Sequence, residues 1–446
     1  MPTFAFHTYG CQMNVRESEA SARALLDAGL TAAPDEASAD VVIVNSCSVR
    51  GKAEDKALGK LGLLCATKRE RPARVVGLMG CMAQRLGAAI FERLPLLDFS
   101  IGTRCAERVA PAVLDALQGR RTLAMRGLQE VPDAPSGHTD GGFSAFVSIL
   151  LGCNRRCTYC IVPDVRGEEW SRPARDVLAE IRDLAARGVR EVTLLGQSIM
   201  NYGLRTPAFS EDDPPSPGGY RLPFPRLLEA VAAIPGIERI RFTSGHPAGV
   251  TDELLRLYRE EPKICRHLHL PVQSGSTRVL ARMRRGYSRE QYLDAVARLR
   301  AAVPGIAVTT DVIVGFPGET EEDFQETRSL MEAARFDNAF IFKYSPRPGT
   351  VSAGWDDDVT EAEKARRNQI LLDDQDVRGL RLNEALVGSE QEILAEGPSL
   401  RNATRWSGRT SSNKIVIFTP PEGVVPGQRL RVVIVRAAPQ TLYAAD

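Results

Sequence analysis

The chain has 446 residues, 43% of them hydrophobic and 25% charged, with 57 Lys plus Arg against 56 Asp plus Glu. That length calls for two or three domains, the composition is that of a globular protein, and the balanced charge leaves any polyanion binding to local patches. No stretch approaches the roughly 18 apolar residues of a membrane span, and Met1 to Cys11 has no basic run leading into an apolar one, so no signal peptide, no membrane contact and a cytoplasmic location are expected.

The first stretch alternates strand and helix. Strands are predicted at Phe4–Thr8, Asp40–Asn45, Arg74–Met79 and Phe99–Ile101, with a helix over Arg16–Ala28 and further helices in the gaps. The β-branched run Asp-Val-Val-Ile-Val-Asn suits a parallel strand buried on both faces. The fold class expected here is an open parallel α/β domain over residues 2–119. Cys11, Cys47 and Cys81 each fall just past one of these strands, 36 and 34 residues apart. In such sheets ligands sit outside the carboxyl ends of the strands. The pairs Gly10-Cys11 and Gly80-Cys81 would let backbone come close to a bulky group. Spacing alone leaves two readings, a three-thiol cluster site or three separate buried cysteines behaving as small hydrophobes.

Residues 120–142 read as a connector, rich in turn formers such as Pro132-Asp133-Ala134-Pro135-Ser136-Gly137 and Asp140-Gly141-Gly142. From about 139 to 375 six strand–helix units follow, which suggests a partial (β/α)6 barrel. The strands are predicted at Phe143–Leu150, Glu191–Leu195, Arg239–Thr243, His267–Leu270, Val308–Val314 and Ala339–Tyr344. Helical patterns cover Ala174–Arg187, Phe224–Ala233, Glu290–Ala302 and Glu321–Ala334; the six prolines between 206 and 225 mark a surface excursion.

Directly after the first of these strands comes Gly152-Cys153-Asn154-Arg155-Arg156-Cys157-Thr158-Tyr159-Cys160. Three thiolates clustered this closely suit an iron–sulfur cluster, and in a parallel barrel the C-terminal strand ends carry the chemistry. With no fourth cysteine or histidine nearby, one iron would stay open to a small chelating molecule. A structural zinc knot would want four ligands. Nine cysteines in all is an odd count and argues against a disulfide framework. Cys65, Cys105 and Cys265 are read as structural, and His7, His246, His267 and His269 as turn or core residues.

From about residue 378 the pattern changes to short β-like runs at Gln391–Glu396, Lys414–Phe418 and Leu430–Val435, a small β-barrel over 378–440. Seven Lys or Arg against one Glu between Ser399 and Arg436 would be an electrostatic footprint for a nucleic acid or merely a solvated surface. The basic stretch Arg278, Arg282, Arg284, Arg285 and Arg289 could extend that track, although a solvated face is the plainer reading.

The Cys-x3-Cys-x2-Cys loop is the signature of the radical S-adenosylmethionine (SAM) enzymes. The whole chain resembles their methylthiotransferase family. Thr8-Tyr9-Gly10-Cys11-Gln12-Met13-Asn14, Asn45-Ser46-Cys47-Ser48-Val49-Arg50 and Gly80-Cys81-Met82-Ala83-Gln84-Arg85 resemble its N-terminal domain. Gly152–Cys160, Arg166-Gly167-Glu168-Glu169, Ser171-Arg172-Pro173, Pro271-Val272-Gln273-Ser274-Gly275 and Tyr344-Ser345-Pro346-Arg347-Pro348-Gly349-Thr350 resemble its radical core, and the tail resembles a TRAM domain. Gln12-Met13-Asn14 and Ser48-Val49-Arg50 look like the branch that acts on N6-isopentenyladenosine at position 37 of tRNA. Other branches act on threonylcarbamoyladenosine in tRNA or on a ribosomal protein aspartate. A non-catalytic iron–sulfur RNA-binding protein is a further alternative.

The resemblance implies two [4Fe–4S] clusters, one on Cys153, Cys157 and Cys160 and an auxiliary one on Cys11, Cys47 and Cys81. It implies two SAM per turnover, one a methyl donor and one a radical source. An electron donor such as flavodoxin or ferredoxin and the anticodon arm of tRNA are the implied partners. Tyr159, Arg166, Gln197, Ser244, Gln273 and Asp311 are the expected SAM contacts, and Arg405, Trp406, Arg409 and Lys414 the expected RNA contacts. Asp164-Val165 stands where Tyr-Thr is usual, and Ser198 where Asn is usual.

Overall fold

The computed structural model describes residues 1–49, 51–132, 136–139 and 141–445. Arg50 of the second cysteine motif, and residues 133–135 and 140 of the connector, lie outside the described residues.

The N-terminal unit comprises β1 (Thr3–Tyr9), α1 (Gln12–Asp27), β2 (Thr31–Ala32), β3 (Val41–Ser46), α2 (Gly51–Thr67), β4 (Val75–Met79), α3 (Cys81–Leu86), α4 (Ala89–Arg93), β5 (Phe99–Ile101), α5 (Val109–Leu117) and β6 (Thr122–Ala124). Its sheet is parallel, in the order β2-β1-β3-β4-β5-β6. The period of two in β3 divides its side chains between two cores: Val41 and Ile43 pack with Leu25 and Val113, while Val42 and Val44 pack with Leu61 and Leu64. Neighbouring β1 and β3 continue toward opposite edges of the sheet, so a crevice opens above their carboxyl ends. The first helix begins at Gln12 rather than Arg16, with Cys11 as its cap, because Asn14 reaches back to the Cys11 backbone and replaces a missing helical bond.

The central unit holds β7 (Ser144–Ser148), β8 (Leu150–Leu151), α6 (Val162–Arg166), β9 (Trp170–Ser171), α7 (Ala174–Ala186), β10 (Glu191–Leu195), α8 (Pro223–Ala232), β11 (Arg239–Phe242), α9 (Asp252–Glu260), β12 (His267–His269), α10 (Thr277–Arg282), α11 (Arg289–Ala302), β13 (Ala307–Val314), α12 (Glu321–Ala334), β14 (Asn338–Lys343) and α13 (Glu361–Glu384). Two parallel sheets, β7-β10-β11 and β12-β13-β14, are joined by a parallel bridge from Ile240 to Ile264. The result is an open six-stranded partial barrel whose apolar layer lies between strands and outer helices.

The expected division at 375–378 falls inside α13. Nothing in that stretch breaks a helix, and it is held by packing: Gln375 donates to the Phe336 carbonyl and buried Arg378 pairs with Glu332. The tail is a closed barrel of β15 (Glu390–Ser399), β16 (Asn402–Thr410), β17 (Ile415–Phe418), β18 (Arg429–Ala438) and β19 (Thr441–Ala444). The sequence missed β16 and β19, whose polar or short runs are extended by pairing with their neighbours. No described helix is long and apolar enough to cross a membrane.

Candidate active site

The three N-terminal cysteine loops come together above β1, β3 and β4. Cys47 is hydrogen-bonded to both Cys11 and Cys81. The first two loops are tied by an amide pair: Asn14 Nδ2 donates to Asn45 Oδ1 at 2.9 Å, and Asn45 Nδ2 donates back to the Asn14 carbonyl at 2.9 Å. Asn14 Oδ1 also accepts from Cys11 Sγ at 3.4 Å, and the Val49 amide donates to Cys47 Sγ at 3.2 Å. The hydrogen bond to Cys47 draws Cys11 down to about 5 and lowers Cys81, burial opposes, and the Arg166 guanidinium adds to both. Cys47 is raised by the same two partners and by burial. Thiolate character at the outer pair suits ligation of a soft metal.

The second triad lies on the loop between β8 and α6. Cys153 donates its amide to the Gly167 carbonyl at 3.0 Å, and the Cys160 amide donates to the Cys157 carbonyl at 3.1 Å. Burial pushes the Cys153 thiol up to about 11 and the Cys160 thiol up to about 12, each raised further by Cys157. Among the described residues no three His, Cys, Asp or Glu side chains stand ready-formed around a bare metal ion. The fit to an iron–sulfur cluster therefore rests on donor chemistry and space: two sets of three gathered thiols, each on a loop that glycine keeps open. A methyl group on Gly80 would collide with Asn45 Oδ1, and one on Gly152 with the Glu168 carbonyl oxygen.

The N-terminal cysteine loops pack against the barrel loop. Cys81 packs with Ile161 and Val165 of the barrel loop, and Cys11 and Met13 pack with Leu151, Leu195, Phe146 and Trp170. Arg166, at the end of α6, forms a bidentate pair with Glu17 of α1 at 2.7 and 3.3 Å, both side chains being buried. It was expected on SAM; here its guanidinium pairs with Glu17, and its charge lowers both Cys81 and Cys11. Below this pair, Glu180 of α7 binds Arg172 at 2.7 Å, His138 at 2.7 Å and fully buried Arg16 at 3.4 Å. From the far side of the barrel, Arg347 donates to the Val49 carbonyl at 3.2 Å.

Of the remaining expected SAM contacts, Gln197, Ser244 and Gln273 follow β10, β11 and β12, Asp311 lies within β13 and Tyr159 on the cysteine loop. Tyr159 packs edge-on against Phe316 at 6.4 Å. Ser244 and Gln273, just past β11 and β12, both adopt left-handed backbone, at φ 64° and 74°. Non-glycine residues in that region store strain, of the order of 1 kcal/mol each, and cluster at working sites. Asp311 lies 3.4 Å from His269 Nε2, whose Nδ1 meets Thr309 at 3.0 Å, so His269 belongs with the strand-end polar groups and not with the core. Gln197 Oε1 is a buried acceptor with no partner among the described residues, as is Glu169 Oε2 near Cys153. The sequence named Gln197 and missed Glu169, although both follow barrel strands or the cysteine loop.

The expected RNA contacts divide differently. Lys414 Nζ is bound to Asp337 at 2.8 Å and Asn383 at 2.9 Å, and Arg409 Nε to Glu396 at 2.8 Å. Trp406 packs against the small barrel's core and Arg405 is half-buried. The turn after β16 plugs the N-terminal end of the large barrel: Arg241 donates to the Thr410 and Ser411 carbonyls at 2.8 and 3.2 Å, and Arg239 to the Arg409 carbonyl at 2.6 Å. Lys414, Arg239 and Arg241 thus tie the two domains together, while Arg409 is paired within the small barrel. The arginines of the basic stretch 278–289 are also engaged: Arg278 and Arg282 of α10 with Asp323 and the Pro317 carbonyl, and Arg289 of α11 with the Gly275 carbonyl.

Three family models match the chain: the Radical SAM superfamily over residues 147–331, Uncharacterized protein family UPF0004 over 3–102, and the TRAM domain over 384–445. The tRNA-2-methylthio-N(6)-dimethylallyladenosine synthase of Akkermansia muciniphila is 45% identical, across 99% of this chain and 98% of its own. That of Methylacidiphilum infernorum is 42% identical, across 99% and 94%. Among solved structures, the radical SAM methyltransferase TsrM from Kitasatospora setae, with cobalamin and a [4Fe-4S] cluster bound, superposes with a TM-score of 0.56 at 14% identity, covering 79% of this chain and 74% of that one, a likeness of fold.

Proposed function

We infer the activity from one premise: the chain belongs to the family of the tRNA-2-methylthio-N(6)-dimethylallyladenosine synthases. Its substrate is tRNA, and its reaction replaces the C2 hydrogen of N6-isopentenyladenosine by a methylthio group. Two [4Fe–4S] clusters and SAM, when bound, supply the radical chemistry that an unactivated C–H bond needs and the sulfur that is inserted.

The chain's own residues hold, orient and exclude. Cys153, Cys157 and Cys160 would hold the cluster that binds SAM, and Cys11, Cys47 and Cys81 the auxiliary cluster. Glu169 Oε2 and Gln197 Oε1 are buried acceptors awaiting donors, which suits the ammonium and ribose hydroxyls of SAM. The left-handed turns at Ser244 and Gln273 direct polar groups to the mouth, beside Asp311. Met13, Leu151 and Leu195 pack between the domains and keep water out. The Arg166–Glu17 pair locks the two cysteine-bearing units in register. We place the auxiliary-cluster unit at 2–119 and the radical core from 139, with α13 as a strut shared with the RNA-binding barrel. The exposed cations Arg401, Arg431, which also pairs with Glu390, and Arg436, which lies over Tyr443, would meet phosphates of the anticodon arm. A reducing donor of the flavodoxin or ferredoxin class and a cytoplasmic location complete the reading.

What supports it is the full-length likeness to those synthases together with the packing of Cys81 against Ile161 and Val165, next to the barrel triad. Anaerobic iron and sulfide analysis should give about eight irons, falling to about four when either triad is changed to serine. Nucleoside analysis of tRNA from cells lacking the protein should show isopentenyladenosine without its 2-methylthio derivative; an unchanged level of that derivative would refute the activity.

A further inference from the structure

Arg285 belongs to the basic stretch that sequence reading assigned to an RNA track or a solvated face. The structure buries it. Its guanidinium donates from Nη1 to Cys157 Sγ at 3.4 Å, from Nη2 to the Pro271 carbonyl at 3.1 Å and from Nε to Tyr287 Oη at 3.1 Å. Two features aim it there. Arg284, immediately before it, sits in left-handed backbone at φ 55°, and Gly286, immediately after, at φ 76°. The same segment grips the cysteine loop: the Thr158 amide and hydroxyl donate to the Met283 and Arg282 carbonyls at 3.2 and 2.9 Å. A strained turn that delivers a buried cation to one sulfur is more than a stability device, since hydrophobic residues would pack such a turn at less cost.

We propose that Arg285 tunes the radical-SAM cluster, its N–H bond to Cys157 and its positive charge raising the reduction potential of that cluster relative to a neutral side chain. One-electron reduction adds negative charge to the cluster and its thiolates. A hydrogen bond to sulfur and a fixed cation both favour the more negative state. Tyr287 holds the guanidinium in place through its own bonds to the Pro271 and Val272 carbonyls at 3.2 and 2.9 Å. The proposal rests on the reading that Cys153, Cys157 and Cys160 hold a cluster.

The test uses the full chain with Cys11, Cys47 and Cys81 changed to alanine, so that a single cluster reports. Iron content is measured first, and about four irons per chain in this parent is the control for the underlying reading; an iron-free parent refutes that reading rather than the tuning role. R285Q and R285K are then compared with the parent by EPR-monitored redox titration. At a fixed potential the reduced-to-oxidised ratio should fall about tenfold in R285Q, which for one electron is a downward shift of about 59 mV. R285K keeps the charge without the fork and should fall between the two. A parental ratio in R285Q, or in R285K should R285Q fail to take up iron, overturns the proposal. So does loss of iron from both variants, because Arg285 would then be a folding element alone.

Discussion

Gly80 and Gly152 show how much of each triad depends on a single missing methyl group. Both adopt left-handed backbone, at φ 94° and 78°, and both lie within one residue of a cysteine. An alanine at either position adds backbone strain of about 1 kcal/mol and a collision that only movement of the cysteine loop can relieve. Gly80→Ala should lose the iron of the N-terminal triad and keep that of the barrel; Gly152→Ala should do the reverse. Iron analysis of the two variants checks both halves, and equal losses from the two would break the assignment of each glycine to its own cluster. At this scale the six cysteines could be read from sequence, because short spacings and strand ends are local features. Arg166 could be singled out from sequence, but its ion-pair partner could not. Its partner, Glu17, is 149 residues away.

Between elements, the seam of α1 against α7 is electrostatic. Burial works against the Glu180 carboxylate, yet the His138 hydrogen bond and the Arg172 and Arg16 guanidiniums hold it down to about 2. Burial likewise opposes protonated His138, while Glu180 and Glu19 raise it above the usual histidine range. Glu180 therefore contributes its full stabilisation above an unfolded-state value near 4.5 and loses it as pH falls toward 2. His138 contributes fully below 6.5 and loses its part as pH rises through its raised value. Thermal stability should peak between those limits. Glu180→Gln should cost about 3 kcal/mol near neutrality, because it removes the buried carboxylate that Arg16, Arg172 and His138 share, and should flatten the acid arm of the profile. His138→Gln should flatten the alkaline arm. Thermal unfolding followed against pH measures both. Most individual elements were legible from periodicity, such as Glu191–Leu195 and Glu321–Ala334. The exception that matters is α13, whose continuity is imposed by packing on Phe336 and Glu332.

At the scale of the molecule, the small C-terminal barrel closes the large one from below. Arg241 is the pivot, bound to Glu191 at 2.9 Å and to two carbonyls of the plugging turn. Arg241→Ala leaves Glu191 buried and unpaired, so the docking should weaken by about 3 kcal/mol. The small barrel, with its own apolar core of Ile393, Val416, Phe418 and Leu442, should stay folded. Limited proteolysis should then cut at the turn Val387–Gly388–Ser389, with the iron content unchanged; resistance equal to the parent would show that Arg241 does not carry the dock.

The sequence by itself determined most of the element types, the spacing of the six cysteines, their place at strand ends and the family they resemble. Those properties follow from hydrophobic period, turn chemistry and spacing within about a dozen residues. Only the tertiary structure decided that Cys81 packs against the barrel loop, that Arg166 pairs with Glu17, that Arg285 meets Cys157 and that Lys414 pairs with Asp337. A charged side chain on a surface-like pattern takes whatever partner the fold brings within 3 Å or so, and here that partner comes from residues 128 and 149 positions away for Arg285 and Arg166, and 77 away for Lys414.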